Sequence, residues 1–287
     1  MNMVKTTVLM AALMCLLIAI GGAFGGYHGA LIMFIFSLAM NIYYYWNSDS
    51  ICLKAYNARP ITREEAPNLY DLVEDLATRA NLPMPKVCII EADEPNAFAT
   101  GRNPQHAAVA VTTGIMRLLS YEELSGVISH ELAHVKHRDT LISTIASSIA
   151  GLIATLAHFA QFAAIFGSNR EDEEGSNPMV ALATAIIAPL AAGLIQMAIS
   201  RSREYDADAE GGRICGNPIY LADALEKIEY YAKHGILPNA KPETSNLFIV
   251  NPLSGAGKSM ANLFSTHPLT EDRIAKLHEQ ARLQGIA

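Results

Sequence analysis

His130-Glu131-Leu132-Ala133-His134 reads H-E-x-x-H, and the rest of the chain is arranged about it. In an α-helix, residues i and i+4 lie one above the other on one face, so His130 and His134 can turn two imidazoles toward one metal ion. Glu131 brings a carboxylate to the same place, where it can take a proton from water activated by the metal. The flanks favour a helix. Tyr121-Glu122-Glu123-Leu124 sets acids in a first turn, and no proline interrupts the run to Asp139. Two histidines do not complete a catalytic zinc site, which takes three protein ligands and keeps a further position open. His137 does not serve as the third. Seven residues from His130 is about 10.5 Å along the axis, too far for all three to share an ion. The continuation x-x-G-x-x-H is also absent, since Arg138-Asp139 gives way to an apolar run.

Downstream, Ser200-Arg201-Ser202-Arg203-Glu204-Tyr205-Asp206-Ala207-Asp208-Ala209 offers a second pair at helical spacing. Glu204 can bind zinc, and Asp208 can accept a hydrogen bond from a ligand imidazole and fix its tautomer. Read alone, the cluster is better taken as a solvated acidic helix start. What decides is whether it reaches the same side of a membrane as His130 and His134.

A membrane is implied by composition. Of the 287 residues, 51% are hydrophobic and only 17% charged, against about a quarter charged in ordinary domains. The net charge of −7 gives nucleic-acid binding no electrostatic support. Cys15, Cys52, Cys88 and Cys215 form no C-x-x-C pair and read as reduced, structural thiols.

Thr6 to Phe24 is 19 residues without a charge. That exceeds the about 7–15 apolar residues of a signal peptide and suits a span. Ala30 to Trp46 is a second apolar run. It ends in Tyr43-Tyr44-Tyr45-Trp46, as expected of an aromatic belt at a membrane surface. Gly25-Gly26-Tyr27-His28-Gly29 would turn the chain between them. Leu141 to Phe166 (26 residues) and Met179 to Ser200 (22 residues) also lack Asp, Glu, Lys and Arg, and flank an acidic loop. Both match a bilayer in length, with a pair of Ala-rich core helices as the rival reading. Two crossings would return Glu204 to the side of His130. Lys5, Lys54, Arg59, Arg63, Lys136, Arg138, Arg201 and Arg203 all flank that side, which the positive-inside rule places in the cytoplasm with both termini.

Between the hairpins, Glu64 to Ala80 carries a helical apolar face at Leu69, Leu72, Val73, Leu76 and Ala77. Val87 to Glu91, Ala97 to Thr100 and Ala107 to Thr112 read as three short strands. Beyond Arg201, Pro218 to Lys233 and Pro268 to Leu283 read as amphipathic helices.

The chain resembles the M48 metallopeptidases, and within them the HtpX-type bacterial membrane proteases. The resemblance covers nearly the whole length. It rests on HELAH, on SRSREYDADAEG from Ser200 to Gly211, on Asn96-Ala97-Phe98-Ala99-Thr100-Gly101, and on Thr266-His267-Pro268 followed by Arg273. It implies one Zn2+ per chain, held by His130, His134 and Glu204, with Asp208 behind a ligand imidazole and Glu131 as general base. It implies cleavage of membrane or misfolded proteins, in protein quality control or stress response, at the cytoplasmic face of a bacterial inner membrane. In such a protease His267 and Arg273 could approach the reacting carbonyl. Asn96, Ala97, Phe98 and Ala99 could form a sheet edge on which an extended peptide pairs, the alternative being an internal hairpin strand.

The expected fold is therefore mainly α: a polytopic membrane protein of about four spans, with a gluzincin-like zinc protease domain of helices and a small sheet. The expected division is a membrane hairpin over 1–46, a cytoplasmic part with the sheet and HELAH over 47–140, a second hairpin over 141–200, and a cytoplasmic helical part over 201–287. Gly255-Ala256-Gly257-Lys258-Ser259 imitates a phosphate loop, but Pro252 stands where that loop needs glycine. No nucleotide is implied, and proteolysis is expected to be ATP-independent. Two other classes compete with this reading. A transporter with a structural metal site would want charged groups inside its spans, which these lack. A silent binding protein or chaperone would have no need of Glu131.

Overall fold

The computed structural model describes residues 2–141, 143, 145, 201–234, 249 and 268–286. Within them the protein is mainly helical with one small sheet. The first element, α1 (Asn2–Ala55), is helical throughout except at Gly26 (φ 55°, ψ −144°) and Asn47. The expected five-residue turn is thus a reversal at Gly26 alone, a conformation that a residue with a Cβ rarely takes. The halves lie against each other. A Cβ on Gly29 would stand 2.1 Å from the carbonyl oxygen of Gly21, and Asn41 Nδ2 donates to the Met10 carbonyl at 3.4 Å. The second half runs past Trp46 to Ala55. Among the described residues, Gly25–Ala55 is the one helix long and apolar enough to cross a membrane, with a mean hydropathy of 1.4. Apart from Leu141, Ser143 and Ile145, the third and fourth apolar runs lie outside the described residues, as does the glycine-rich stretch after Pro252.

The sheet has the order β1-β2-β4-β3. β1 (Arg59–Pro60) pairs antiparallel with β2 (Lys86–Ile90), β2 pairs parallel with β4 (Ala107–Thr112), and β3 (Ala97–Gly101) pairs antiparallel with β4. The three longer strands stand within a residue of their expected positions. β1 was not expected, since two exposed residues, one of them proline, carry no alternation. Strand alternation divides the sheet between two cores. Cys88, Ile90, Phe98, Ala108 and Ala110 pack with Cys52 and Leu53 from the end of α1. Val87, Ala97, Ala99, Val109 and Val111 face the main helical core.

That core is helical. α2 (Pro67–Arg79) starts on a proline and buries Leu69, Leu72, Val73, Leu76 and Ala77, the five positions of its apolar face. After the short α3 (Thr113–Leu118), Ser120 caps α4 (Tyr121–His137) in a reciprocal box with Glu123. α4 is the central element, packed against α5 (Arg201–Cys215), α6 (Pro218–His234), α2 and β3. Gly211 makes the α4–α5 approach possible, because a Cβ there would lie 2.9 Å from the backbone nitrogen of His130. The last helix, α7 (Thr270–Leu283), packs on α6 and α5.

α4 does not continue straight toward the third apolar run. Arg138 takes the left-handed conformation (φ 59°, ψ 38°) and ends the helix. Its N–H bonds the Val135 carbonyl, and the Asp139 N–H bonds the His134 carbonyl. This is the 5→2 and 6→1 pair of a Schellman ending, made without the usual glycine.

Candidate metal centre and active site

The two histidines of α4 and the glutamate of α5 converge. The rings of His130 and His134 stand edge to face, 4.7 Å between centroids, with their Nε2 atoms 3.2 Å apart. Glu204 presents Oε2 3.8 Å from His130 Nε2 and Oε1 3.6 Å from His134 Nε2. One donor atom from each of the three lies within 4.8 Å of the others. Nitrogens bound at 2.0–2.1 Å to a tetrahedral ion stand roughly 3.3 Å apart, so the residues fit a zinc ion in spacing and in donor chemistry. His137 is not part of this group.

The electrostatics also suit a cation. His130 is 2% exposed and Glu204 7%. Burial works against a charge on His134, yet Glu204, Asp139 and Glu131 outweigh it and lift its pKa to about 9. Surroundings that favour a proton on the imidazole favour a metal ion for the same reason.

Behind His130 stands Asp208, with Oδ1 2.9 Å from His130 Nδ1. Asp208 is held by Arg273, which donates from Nε to Oδ2 at 2.8 Å and from Nη2 to Oδ1 at 2.7 Å. Burial disfavours the Asp208 charge, but Arg273 prevails and holds the carboxyl well below the usual carboxylate range. Arg273 Nη1 donates to the Ile249 carbonyl at 2.7 Å, and the residue is 1% exposed. The expectation that Arg273 meets the substrate gives way to this placement. It is buried behind Asp208, with donors on all three guanidinium nitrogens engaged inside the protein. His267 lies outside the described residues.

Glu131 accepts a hydrogen bond from the Ala99 N–H at 2.8 Å through Oε2. Burial, the largest influence, raises its pKa above the usual carboxylate value, against the pull of His130 and His134. Of the stretch expected to meet substrate, Ala97 and Ala99 face the α4 side of the sheet. Phe98 points to the other side and packs on Tyr56, 5.0 Å between ring centroids. Asn96 is buried, and its backbone pairs with Thr112. β3 is the edge strand, but every residue in it is buried. Its outward groups at Ala99 N–H and the Gly101 carbonyl are taken by Glu131 and by Thr140 Oγ1 at 2.9 Å. Two of the outward groups of the strand, one at Ala99 and one at Gly101, are therefore already used.

One residue at the site was missed. Asp139 is buried with Oδ2 3.3 Å from His134 Nδ1. The signal in the sequence was an acid five residues after a ligand histidine, but it reads as part of a charged helix end.

The family model described as "Peptidase family M48" matches residues 63–281. Curated relatives named "Protease HtpX homolog" include one from Paraburkholderia phytofirmans, 54% identical over 283 residues and 98% of each chain. Another, from Burkholderia cenocepacia, is 55% identical over 284 residues and 98% of each chain. Among solved structures, the crystal structure of S. mikatae Ste24p aligns with a TM-score of 0.53 at 18% identity. The alignment covers 96% of this chain and 65% of that one, and this likeness is one of fold.

Proposed function

The chain belongs to peptidase family M48, and from that premise we propose that it is a zinc-dependent, ATP-independent endopeptidase working at a membrane surface. Family membership makes it a protease and lends nothing to a transporter or a silent binding protein. The observation that carries the metal assignment is the 3.2 Å approach of the two Nε2 atoms with Glu204 beside them.

His130, His134 and Glu204 would hold the ion. When bound there, zinc supplies Lewis-acid polarisation of the scissile carbonyl and acidifies water. Glu131 takes the proton from the attacking water and delivers it to the leaving amine. It is buried on the helix that carries His130 and His134, next to His130 in sequence, which suits a group that must both accept and return a proton there. The Ala99 N–H fixes one of its oxygens, so the base and β3 keep a constant separation. An extended substrate would meet the outward backbone of β3 at groups other than the Ala99 N–H and the Gly101 carbonyl, which Glu131 and Thr140 already hold. Asp208 holds the His130 ring, and Arg273 holds Asp208.

The membrane reading rests on Gly25–Ala55 and on the charge-free runs from Leu141 and Met179. We place four spans in a bacterial inner membrane, with both termini and the site in the cytoplasm, divided as 1–46, 47–140, 141–200 and 201–287. The substrates would be cytoplasmic loops or tails of membrane proteins, and unfolded chains near the surface. The test is a casein digest by detergent-purified protein with zinc, comparing wild type with Glu131→Gln. The variant should keep its metal and lose on the order of a thousandfold or more in turnover. Proteolysis at the wild-type rate in it would sink the assignment of the base.

A further inference from the structure

A ligand imidazole must present one nitrogen to the metal, and the other decides how the ring is turned. For His130 the second nitrogen faces Asp208. His134 has a counterpart on a different element. Its Nε2 faces His130 Nε2, and its Nδ1 faces Asp139 Oδ2 at 3.3 Å. Asp139 is 3% exposed, so this carboxylate is no solvated surface acid.

The backbone adds a second hold on the same residue. Because Arg138 is left-handed, the chain doubles back, and the Asp139 N–H donates to the His134 carbonyl at 2.9 Å. One residue thus engages His134 at its carbonyl and at its ring. On the far side, Asp139 Oδ1 lies 3.9 Å from Arg203 Nε, and Arg203 immediately precedes Glu204 in α5. The order Arg203, Asp139, His134 repeats the order Arg273, Asp208, His130.

We propose that Asp139 is the positioning residue for His134, with Arg203 behind it. By facing Nδ1 it selects the tautomer whose proton is on that nitrogen and leaves the Nε2 lone pair toward the ion. It makes no contact with substrate. The two halves of the metal site are then steadied from different directions: His130 from α7 through Asp208, and His134 from the turn that ends its own helix. The proposal rests on His130, His134 and Glu204 being the metal ligands.

The test is zinc binding by the full chain in detergent, stripped of metal. Affinity is read by competition with a chelator, and the ligand field by the visible absorption of the cobalt(II) form. Asp139→Ala should weaken zinc binding about 10–100-fold. Asp139→Asn should weaken it less, because an amide oxygen still accepts from Nδ1–H. Both should shift the cobalt bands, which a purely structural loss would not do in a protein that melts normally. Wild-type affinity and wild-type cobalt bands in both variants would overturn the proposal. If Asp139→Ala does not fold, Asp139→Asn decides alone by the same two readings. His134→Ala separates the two levels: it should lose the ion, and undiminished zinc there would overturn the ligand assignment itself.

Discussion

Arg273 and Asp208, 65 positions apart in the chain, meet through two parallel charge-assisted hydrogen bonds in a buried site directly behind His130. The last helix, α7, is thereby tied to one imidazole of the His130, His134 and Glu204 cluster. Arg273→Ala would leave a buried carboxylate without its partner, a change that costs about 3–5 kcal/mol. Arg273→Lys would keep a charge but lose the two-point fork. Melting temperature should therefore fall in the order wild type, lysine, alanine, with zinc affinity following the same order. Equal melting of the alanine variant and wild type would mean that the pair does not form.

Glu204 and His137 give opposite outcomes. Glu204→Ala should lower bound zinc, measured by elemental analysis of the purified protein, since one of the three clustered donors is gone. His137→Ala should leave it unchanged. The reverse pattern would show that the wrong third ligand has been chosen.

Arg138 is exposed and left-handed. A side chain in that conformation costs about 1 kcal/mol, which glycine avoids. Arg138→Gly should raise thermal stability by roughly 0.5–1 kcal/mol and leave zinc affinity intact. A lower melting temperature would mean that the arginine side chain does something the backbone geometry does not reveal.

Cys88 is fully buried in the sheet, and burial pushes its thiol up to about 11 despite the pull of Lys86. At pH 8 about one molecule in a thousand would carry a native thiolate, so it should resist alkylation until the protein unfolds. The unfolded thiol ionises first, near pH 8.5, so the unfolded chain holds fewer protons from roughly pH 8.5 to 11. This contribution to stability is complete below that window and is lost as pH rises through it. Cys88→Ala should flatten the alkaline decline in melting temperature, and an unchanged slope would refute the shift.

Membrane topology can be read by labelling. A cysteine at Lys136, an exposed position near the end of α4, should react with an impermeant reagent from the cytoplasmic side only, and one at Glu173 from the opposite side only. Cytoplasmic labelling at Glu173 would remove the third and fourth spans while leaving the zinc chemistry standing.

What could be read from the sequence was what periodicity writes locally. The apolar positions of α2, the placing of β3 and β4, and the i, i+4 pairs of α4 and α5 all appear as expected. Long-range geometry was not legible. Arg273 looks like any helix-start arginine until the fold brings it to Asp208. Asp139 matters because Arg138 is left-handed, and no glycine announces that turn. Phe98 could be placed on a strand, but its face depends on which side of the sheet α1 covers.

That covered side has a further consequence. Cys52 and Leu53 of α1 close over Cys88, Ile90, Phe98, Ala108 and Ala110, while the outer edge of β3 holds Glu131 through the Ala99 N–H. The end of the helix that is long and apolar enough to cross a membrane is thus also a layer over the sheet. A fragment beginning after Ala55 would uncover an apolar sheet face one strand's thickness from the base. Such a fragment should aggregate or need detergent even without a span of its own, so in this protein anchoring and folding cannot be separated by a cut between them.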